Sequence, residues 1–364
     1  MKNIHNFSNE NAFNIFMQSG KYKEPFVSLT KDTNRIDYND YEHYKKMYLT
    51  FEILTDGSIS WNRANKDMPW LTIEYRLNKN DWTSFTATST SFNQLITSVH
   101  AGDIISFRGN NSCYYQYAYQ KFDASCDLNI FGNIMSMINS ENFYNLTSFS
   151  NTNVFPYLFK YMNIIDASKL ILPATTLTDN CYAFMFDSAS KLIYPPKLPA
   201  TTLAKGCYSA MFHGCSSLST CPDLPATTLA NCCYGMGDLW SGASDWRYGM
   251  FEGCTSITTS PKLPATTLAE RCYQQMFKGC TNLIMSPELP ATTLVNSCYS
   301  AMFNGCTNLN YVKCLATDVS ASYCTNNWLN GVSSTGTFVK DANATWSTGT
   351  SGIPEGWTVE TATA

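Results

Sequence analysis

Cysteines are the residues of this sequence whose type and spacing most suggest chemistry. The stretch LPATTLAKGCYSAMFHGC, residues 198–215, places Cys207 and Cys215 eight positions apart around a Met-Phe pair. A structural zinc site needs four converging ligands, which usually come in pairs separated by about two to four residues. The wider spacing does not supply such pairs, and cysteine often behaves as a small buried apolar residue. We therefore interpret these cysteines as packing residues, with disulfide bonds as the second interpretation and a metal site as the third.

Other constellations that could carry catalysis are weak. None of the histidines has the spacing of a metalloprotease site, and the sequence has no phosphate-binding glycine loop and no nucleophile elbow. Two acids, Asp238 and Asp245, lie close together as a glycosidase pair would, although a loop pair of this kind is more often solvated. The sequence predicts a protein that is not an enzyme, with no cofactor and no metal, and leaves a hydrolase as the third hypothesis.

The cysteines recur because the chain contains an internal repeat. The hexamer LPATTL occurs five times and is followed in step by Cys-Tyr, Met-Phe and, in four of the repeats, Gly-Cys. Successive copies are 26, 26, 39 and 26 residues apart, so the third repeat carries 13 additional residues. A period of 26 lies within the roughly 20–29 residues of leucine-rich repeats. The hexamers begin at Leu172, Leu198, Leu224, Leu263 and Leu289.

Apolar residues four positions apart predict a short helix within each repeat. Cys207 and Met211 would share one face of it, as would Tyr208 and Phe212, and a glycine follows as a suitable stop. The next segment, residues 216–221, is predicted to be an extended strand that stacks on its equivalents. Each coil of the solenoid would therefore contain one strand and one helical turn.

Some residues depart from the repeat. His213 occupies a variable position, equivalent to Glu252, Lys278 and Asn304, and we expect it at the surface. Four cysteines fall outside the repeating positions and are the better candidates for disulfide bonds or free thiols: Cys221, Cys232, Cys314 and Cys324.

The 13-residue insertion is the candidate ligand-binding segment. Insertions in solenoids lie in loops on one face and often bind ligands. Aromatic and arginine side chains dominate the anchors of binding surfaces. The alternative is that the loop folds back and buries its tryptophans against the solenoid edge. The candidate residues are Trp240, Asp245, Trp246, Arg247 and Tyr248.

Residues 46–140 have a different sequence pattern, with alternating apolar residues typical of half-buried strands. Leu49, Phe51 and Ile53 would face one side, and Asp56-Gly57 offers a hairpin turn into the next strand. We interpret this region as an antiparallel β-sandwich. The first 45 residues predict a helix over residues 8–20 and a hairpin around residues 32–34.

Composition narrows the function classes. Charged residues make up 14% of the chain, and the formal net charge is −4. A nucleic-acid-binding protein usually carries a basic domain or stripe, so nucleic acid is not an expected partner. No apolar run is long enough to span a membrane, and the N-terminus lacks the apolar core of a secretory signal. We expect no membrane insertion, and we expect that any signal was removed or that the protein leaves its cell by another route.

The repeat pattern LPATTL, Cys-Tyr, Met-Phe, Gly-Cys resembles the BspA-like leucine-rich repeats of Bacteroidales surface proteins. The tail TGTFVKDANATWSTGTSGIPEGWTVE resembles the segment that closes such arrays, and residues 81–111 are similar to the β-module that precedes them. The N-terminal helix and hairpin resemble N-terminal modules on virion proteins of phages that infect Bacteroidales. These resemblances cover more than half of the chain.

Together these features predict a mainly β fold with short helices. Residues 1–45 would form an anchoring segment, 46–140 a β-sandwich, 141–320 a leucine-rich-repeat solenoid and 321–364 a β-rich C-terminal cap. The resemblance implies a non-enzymatic virion surface or head-fibre-like structural protein. It would bind other virion proteins through its N-terminal segment and a host-surface glycan or protein through its repeats. The alternative is a secreted or cell-surface bacterial adhesin, and a homo-oligomer is left open.

Overall fold

The computed structural model describes residues 38–63, 71–78, 80–86, 94–114, 120–235 and 248–363, and they are mainly β, as predicted. The helix expected at residues 8–20 and the hairpin at 32–34 lie outside the described residues. The elements are α1 (Tyr38–Lys45), β1 (Leu49–Ile53), β2 (Gly57–Arg63), β3 (Thr72–Leu77), β4 (Thr83–Thr86), β5 (Gln94–Val99), β6 (Ile104–Arg108), β7 (Gln120–Ala124), β8 (Leu128–Asn133), β9 (Ile164–Ile171), β10 (Met285–Leu289), β11 (Tyr311–Cys314), β12 (Thr337–Lys340) and β13 (Thr358–Thr361).

Two sheets pack against each other in the N-terminal part. One has six strands in the order β4-β3-β6-β1-β8-β9, and the other has three in the order β5-β2-β7. The predicted hairpin at Asp56-Gly57 is wrong, because β1 pairs with β6 and β8 whereas β2 pairs with β5 and β7. The chain changes sheets there because both strands carry an apolar face that must be buried. Phe51 of β1 meets Phe122 of β7 across the interface, with ring centroids 5.1 Å apart.

The six-stranded sheet continues into the repeats without a break. Strand β8 pairs in parallel with β9, and Asp166 of β9 forms a bridge to Tyr194 in the next coil. A single apolar core runs through both regions. The N-terminal sheets thereby cover the apolar end that an open stack of coils would expose.

Each repeat forms overlapping turns rather than the predicted short helix. In the coil around Tyr299, the N–H groups of Tyr299 and Phe303 donate to carbonyls of the following coil, at Cys324 and Trp328. Ala301 likewise donates to Asn326 of the following coil, whereas Ser300 and Met302 donate three positions back in the same coil, as Met302 does to Tyr299. An α-helix would keep all of these bonds within one coil. The helix prediction is wrong because half of the backbone N–H groups donate to carbonyls of the neighbouring coil.

The overlapping turns need a left-handed residue at every fourth position. In one coil these residues are Ser297, Ala301 and Gly305, with φ values of 55°, 51° and 77°. The left-handed conformation costs roughly 1–2 kcal/mol for a residue with a Cβ atom and little for glycine. The glycine of the Gly-Cys pair therefore recurs because it adopts the left-handed backbone conformation, as the third such residue of its coil.

Side chains that recur once per coil form columns through the core. The tyrosines of the Cys-Tyr pairs stack on one another with centroids 5.8–5.9 Å apart, and the phenylalanines of the Met-Phe pairs stack at 5.5–5.7 Å. The tyrosine column extends past Phe155 to Tyr114 in the N-terminal part. At the other end it continues through Trp328 to Trp346. The columns tie the two terminal regions to the repeats.

A parallel sheet of four strands, β10 to β13, completes the C-terminal end. The extended segments of the earlier coils make single bridges, such as Thr259 to Met285, rather than full strands. Proline, which lacks an N–H donor, occurs in these segments and interrupts the ladder. Ile353 and Trp357 are buried there.

Exchanging glycine and alanine at two left-handed positions tests this account of the turns. Gly305→Ala should lower the free energy of unfolding by roughly 1 kcal/mol, because the added Cβ is strained by φ although its nearest neighbour would be 3.7 Å away. Ala301→Gly should raise it by about 0.5–1 kcal/mol, because relief of strain exceeds the added chain entropy. Urea unfolding of both variants measures the changes. A neutral Gly305→Ala with a destabilised Ala301→Gly would contradict the prediction.

Candidate functional site

The insertion leaves and rejoins the third repeat at two glycines, Gly235 and Gly249. Across it, the N–H of Met250 donates to the carbonyl of Tyr234 at 3.0 Å. The same bond closes the preceding coil without an insertion, from Met211 to Tyr208 at 3.2 Å. This turn bond therefore forms across the 13 residues, although the N–H of Gly249 donates to Glu252 Oε2 where that of the equivalent Ala301 donates to the next coil.

Both glycines lie against the backbone of the following coil. A Cβ at Gly235 would collide with the carbonyl of Arg271, and one at Gly249 would collide with the carbonyl of Gln275. The side chains that occupy the equivalent positions of other coils cannot be accommodated here. Glycine is required where the chain turns out of the stack and back into it.

Of the five predicted site residues, Tyr248 is the one that the structure describes. Trp240, Asp245, Trp246 and Arg247 lie outside the described residues, so their binding role stays a prediction. The ring of Tyr248 stacks on the imidazole of His213, with centroids 3.7 Å apart and planes at 12°. Tyr248 also packs against a small apolar cluster outside the main core, formed by Tyr157, Ala183, Phe184 and Ala210. The end of the insertion thus folds back on the repeats.

The prediction that His213 lies at the surface is wrong. Its side chain is 21% exposed, and its Nδ1 lies 2.7 Å from Oδ1 of Asp187. The other carboxylate oxygen of Asp187 lies 2.6 Å from Nζ of Lys160, and these two side chains are each 2% exposed. Burial opposes the charged form of Asp187, but the bond from His213 and the charge of Lys160 outweigh it and hold the pKa of this carboxyl below its ordinary value.

A second ion pair lies on the other side of the insertion. Lys278 Nζ is 2.8 Å from Glu252 Oε1, and the backbone N–H of Gly249 donates to Glu252 Oε2 at 3.2 Å. These residues and the Lys160–Asp187–His213 group occupy the same position of successive coils. Sequence reasoning classed this position as variable and missed the pairing. The signal in the sequence was that the charge at this position reverses between neighbouring repeats, from Lys160 to Asp187 and from Glu252 to Lys278.

The cysteines form buried columns, and all fifteen are free thiols. Those of the Gly-Cys pairs donate to a carbonyl of the preceding coil, as Cys306 Sγ does to Phe277 at 3.0 Å. Burial raises the pKa of Cys207 and of Cys306 to about 12. Within the residues that the structure describes, no three histidine, cysteine or acidic side chains come together as a metal site would require. Burial, free thiols and raised pKa values all favour packing as their role.

Two of the cysteines that we placed outside the repeat belong to its columns. Cys324 is the sixth member of the Cys-Tyr column, since the N–H of Tyr299 donates to its carbonyl. Cys314 takes the place of a hexamer leucine, because it pairs in register with Leu289. The tyrosine and the hexamer that would have identified these positions are lost in the last coil.

Thiol labelling tests the packing role of the cysteines. In the native protein, fast reaction should be confined to the partly exposed Cys113, because burial keeps the other thiols protonated or inaccessible. Cys221 is partly exposed as well, but burial of its thiol raises its pKa, so it should react more slowly. Pulse labelling followed by mass spectrometry of the peptides gives the sites, and labelling in denaturant gives the total. Rapid native labelling of Cys254, or fewer than fifteen thiols after denaturation, would contradict the prediction.

Asp187→Asn should destabilise the protein by about 3–5 kcal/mol at neutral pH, because it leaves the buried charge of Lys160 without its partner. Because the folded pKa of Asp187 is lowered, its contribution is present above the unfolded pKa and is lost as pH falls through the folded value. The difference between wild type and variant should therefore shrink on acidification.

The control is Glu288→Gln, which removes an exposed ion pair to Lys313 at 2.9 Å. Its effect should stay within about 1 kcal/mol. Urea unfolding at several pH values measures both variants. Equal effects of the two substitutions would show that burial of the Asp187 pair contributes nothing.

Comparison with known proteins found no relative: no protein-family model, no curated protein and no solved structure matches the chain. No helix in the described part of the chain is long and apolar enough to cross a membrane. The geometry of the coils and of the insertion therefore carries the functional argument by itself.

Proposed function

We propose that the chain is a non-enzymatic surface protein of a virion, similar to a head fibre, that displays an adhesive module to the host. The two N-terminal sheets would be a β-sandwich, and the coils a BspA-like leucine-rich-repeat solenoid closed by a C-terminal cap. The insertion would bind a glycan or protein of the host surface. The N-terminal segment would bind other virion proteins, and the virion surface would be its location.

The observation that carries the adhesive role is that the coil closes its turn across the insertion. Met250 bonds to Tyr234 as though the 13 residues were absent, so this turn bond does not depend on them. They include two tryptophans and an arginine, the residue types that dominate binding anchors. A segment that the scaffold does not require, and that is rich in such residues, is best explained by recognition.

The described titratable groups favour a scaffold over a catalyst. The acids Asp187 and Glu252 are each held by a lysine. The thiols of the columns are buried and protonated, so they are poor nucleophiles. These groups stabilise the stack, which supports the proposal that the protein acts by binding.

A secreted or cell-surface bacterial adhesin is the second candidate, favoured by the resemblance of the repeats to those of Bacteroidales surface proteins. Both candidates use the same scaffold and the same insertion. They differ in the partner of the N-terminal segment, which would be a virion protein in one case and the cell envelope in the other. Cosedimentation of the full chain with phage particles, compared with bacterial envelopes, separates the two.

Substitution of the insertion tryptophans tests the adhesive role. Trp240→Ala and Trp246→Ala should each weaken binding to Bacteroidales cells at least tenfold, as expected for anchors worth about 2 kcal/mol. The melting temperature should not change, because the coil closes without the insertion. Cell binding and a glycan array measure the effect on the full chain.

The matched control is Trp357→Phe, in the buried C-terminal end, which should leave binding unchanged. Asp238→Asn and Asp245→Asn address the hydrolase hypothesis in a glycan-cleavage assay. Unchanged binding by both tryptophan variants, with the fold intact, would remove the insertion as the adhesive site. Cleavage by wild type that these acid variants abolish would replace adhesion with hydrolysis.

A further inference from the structure

One position of the repeat carries titratable side chains in successive coils, on both sides of the insertion. We call Lys160, Asp187, His213, Glu252 and Lys278 the charge ladder. The residue after each rung donates its N–H to the carbonyl of the next rung, as Gly214 does to Glu252, so the five side chains follow one another along the stack. Their charges form two groups, Lys160–Asp187–His213 and Glu252–Lys278, that meet at the coil carrying the insertion.

Each group holds one residue at the end of the insertion. His213 stacks on Tyr248 at 3.7 Å, and Asp187 fixes the imidazole through Nδ1. Glu252 accepts the N–H of Gly249, and Lys278 holds its carboxylate from the other side. The two holding residues are themselves restrained, His213 by the buried Asp187 and Glu252 by the more exposed Lys278. Two adjacent residues of the chain are thereby fastened to two rigid neighbours.

We propose that the charge ladder is a clamp that fixes the returning end of the insertion, with His213 and Tyr248 as its positioning residues. The inference rests on the proposed function in one respect, which is that the insertion is the adhesive segment. The clamp restrains Tyr248 and Gly249, the residues at which the insertion rejoins the repeats. Restraint of one end lowers the entropy that an attached segment loses on binding.

Trypsin cleavage after Arg247 tests the clamp, because Tyr248 is the next residue and must leave His213 before the bond can enter the protease. The rate on the full chain is divided by the rate on a peptide of residues 240–255. In wild type this ratio should be well below one, because Tyr248 is stacked on His213. Tyr248→Ala should raise the ratio up to about tenfold.

Conservative variants separate the clamp from a general loss of structure. Tyr248→Phe keeps the stack and should behave as wild type. His213→Phe keeps a ring beneath Tyr248, so its ratio should stay low. His213→Gln retains a donor to Asp187 but removes the ring, so its ratio should rise towards that of Tyr248→Ala.

A ratio for Tyr248→Ala equal to that of wild type would overturn the clamp. A ratio for folded His213→Gln equal to that of wild type would overturn the role of His213. These outcomes are distinct from failure of the proposed function. Should Trp240→Ala and Trp246→Ala leave cell binding unchanged, the adhesive role of the insertion fails, while the cleavage ratios still decide whether the clamp exists.

Discussion

The hydrogen bond from one coil to the next is the interaction on which the rest of the structure depends. Half of the N–H groups in each turn segment donate to the following coil, and the other half close the turn itself. A coil therefore cannot satisfy its own backbone, and an unpaired buried N–H is costly. Each coil needs a neighbour, and the first and last coils need a different kind of neighbour. The N-terminal sheets and the C-terminal strands meet that need.

The same bond explains which residues recur in every repeat. It requires a left-handed residue at every fourth position, and glycine takes one of these in most coils. It also sets the coils in register, so that side chains at equivalent positions stack as columns of rings and thiols. Substitution within a column affects the neighbouring coils as well. Surface positions vary between repeats, but at the charge ladder they vary in pairs, as Glu252 and Lys278 show.

The sequence was sufficient for the features that depend on local periodicity. Alternation placed Leu49 and Phe51 in the core, and the repeat placed its cysteines there. The sequence was not sufficient where two kinds of backbone structure have the same spacing of equivalent residues. Residues four positions apart lie on one face of a helix, and they also occupy equivalent positions of consecutive four-residue turns, so Tyr208 and Phe212 could not separate these alternatives. Neither could sequence spacing identify the contact between His213 and Asp187, which joins different coils.

The position of the insertion follows from the same constraints. It interrupts the coil between the positions of Ser209 and Ala210 in the preceding repeat, on the turn side and away from the stacked rings. Glycine at both junctions removes the side chains that would collide with the next coil. The chain returns beside the charge ladder, where ion pairs already restrain His213 and Glu252. A ladder that first served to join coils can therefore hold an added segment, because its outer groups keep a ring face and a carboxylate oxygen for contacts outside the stack.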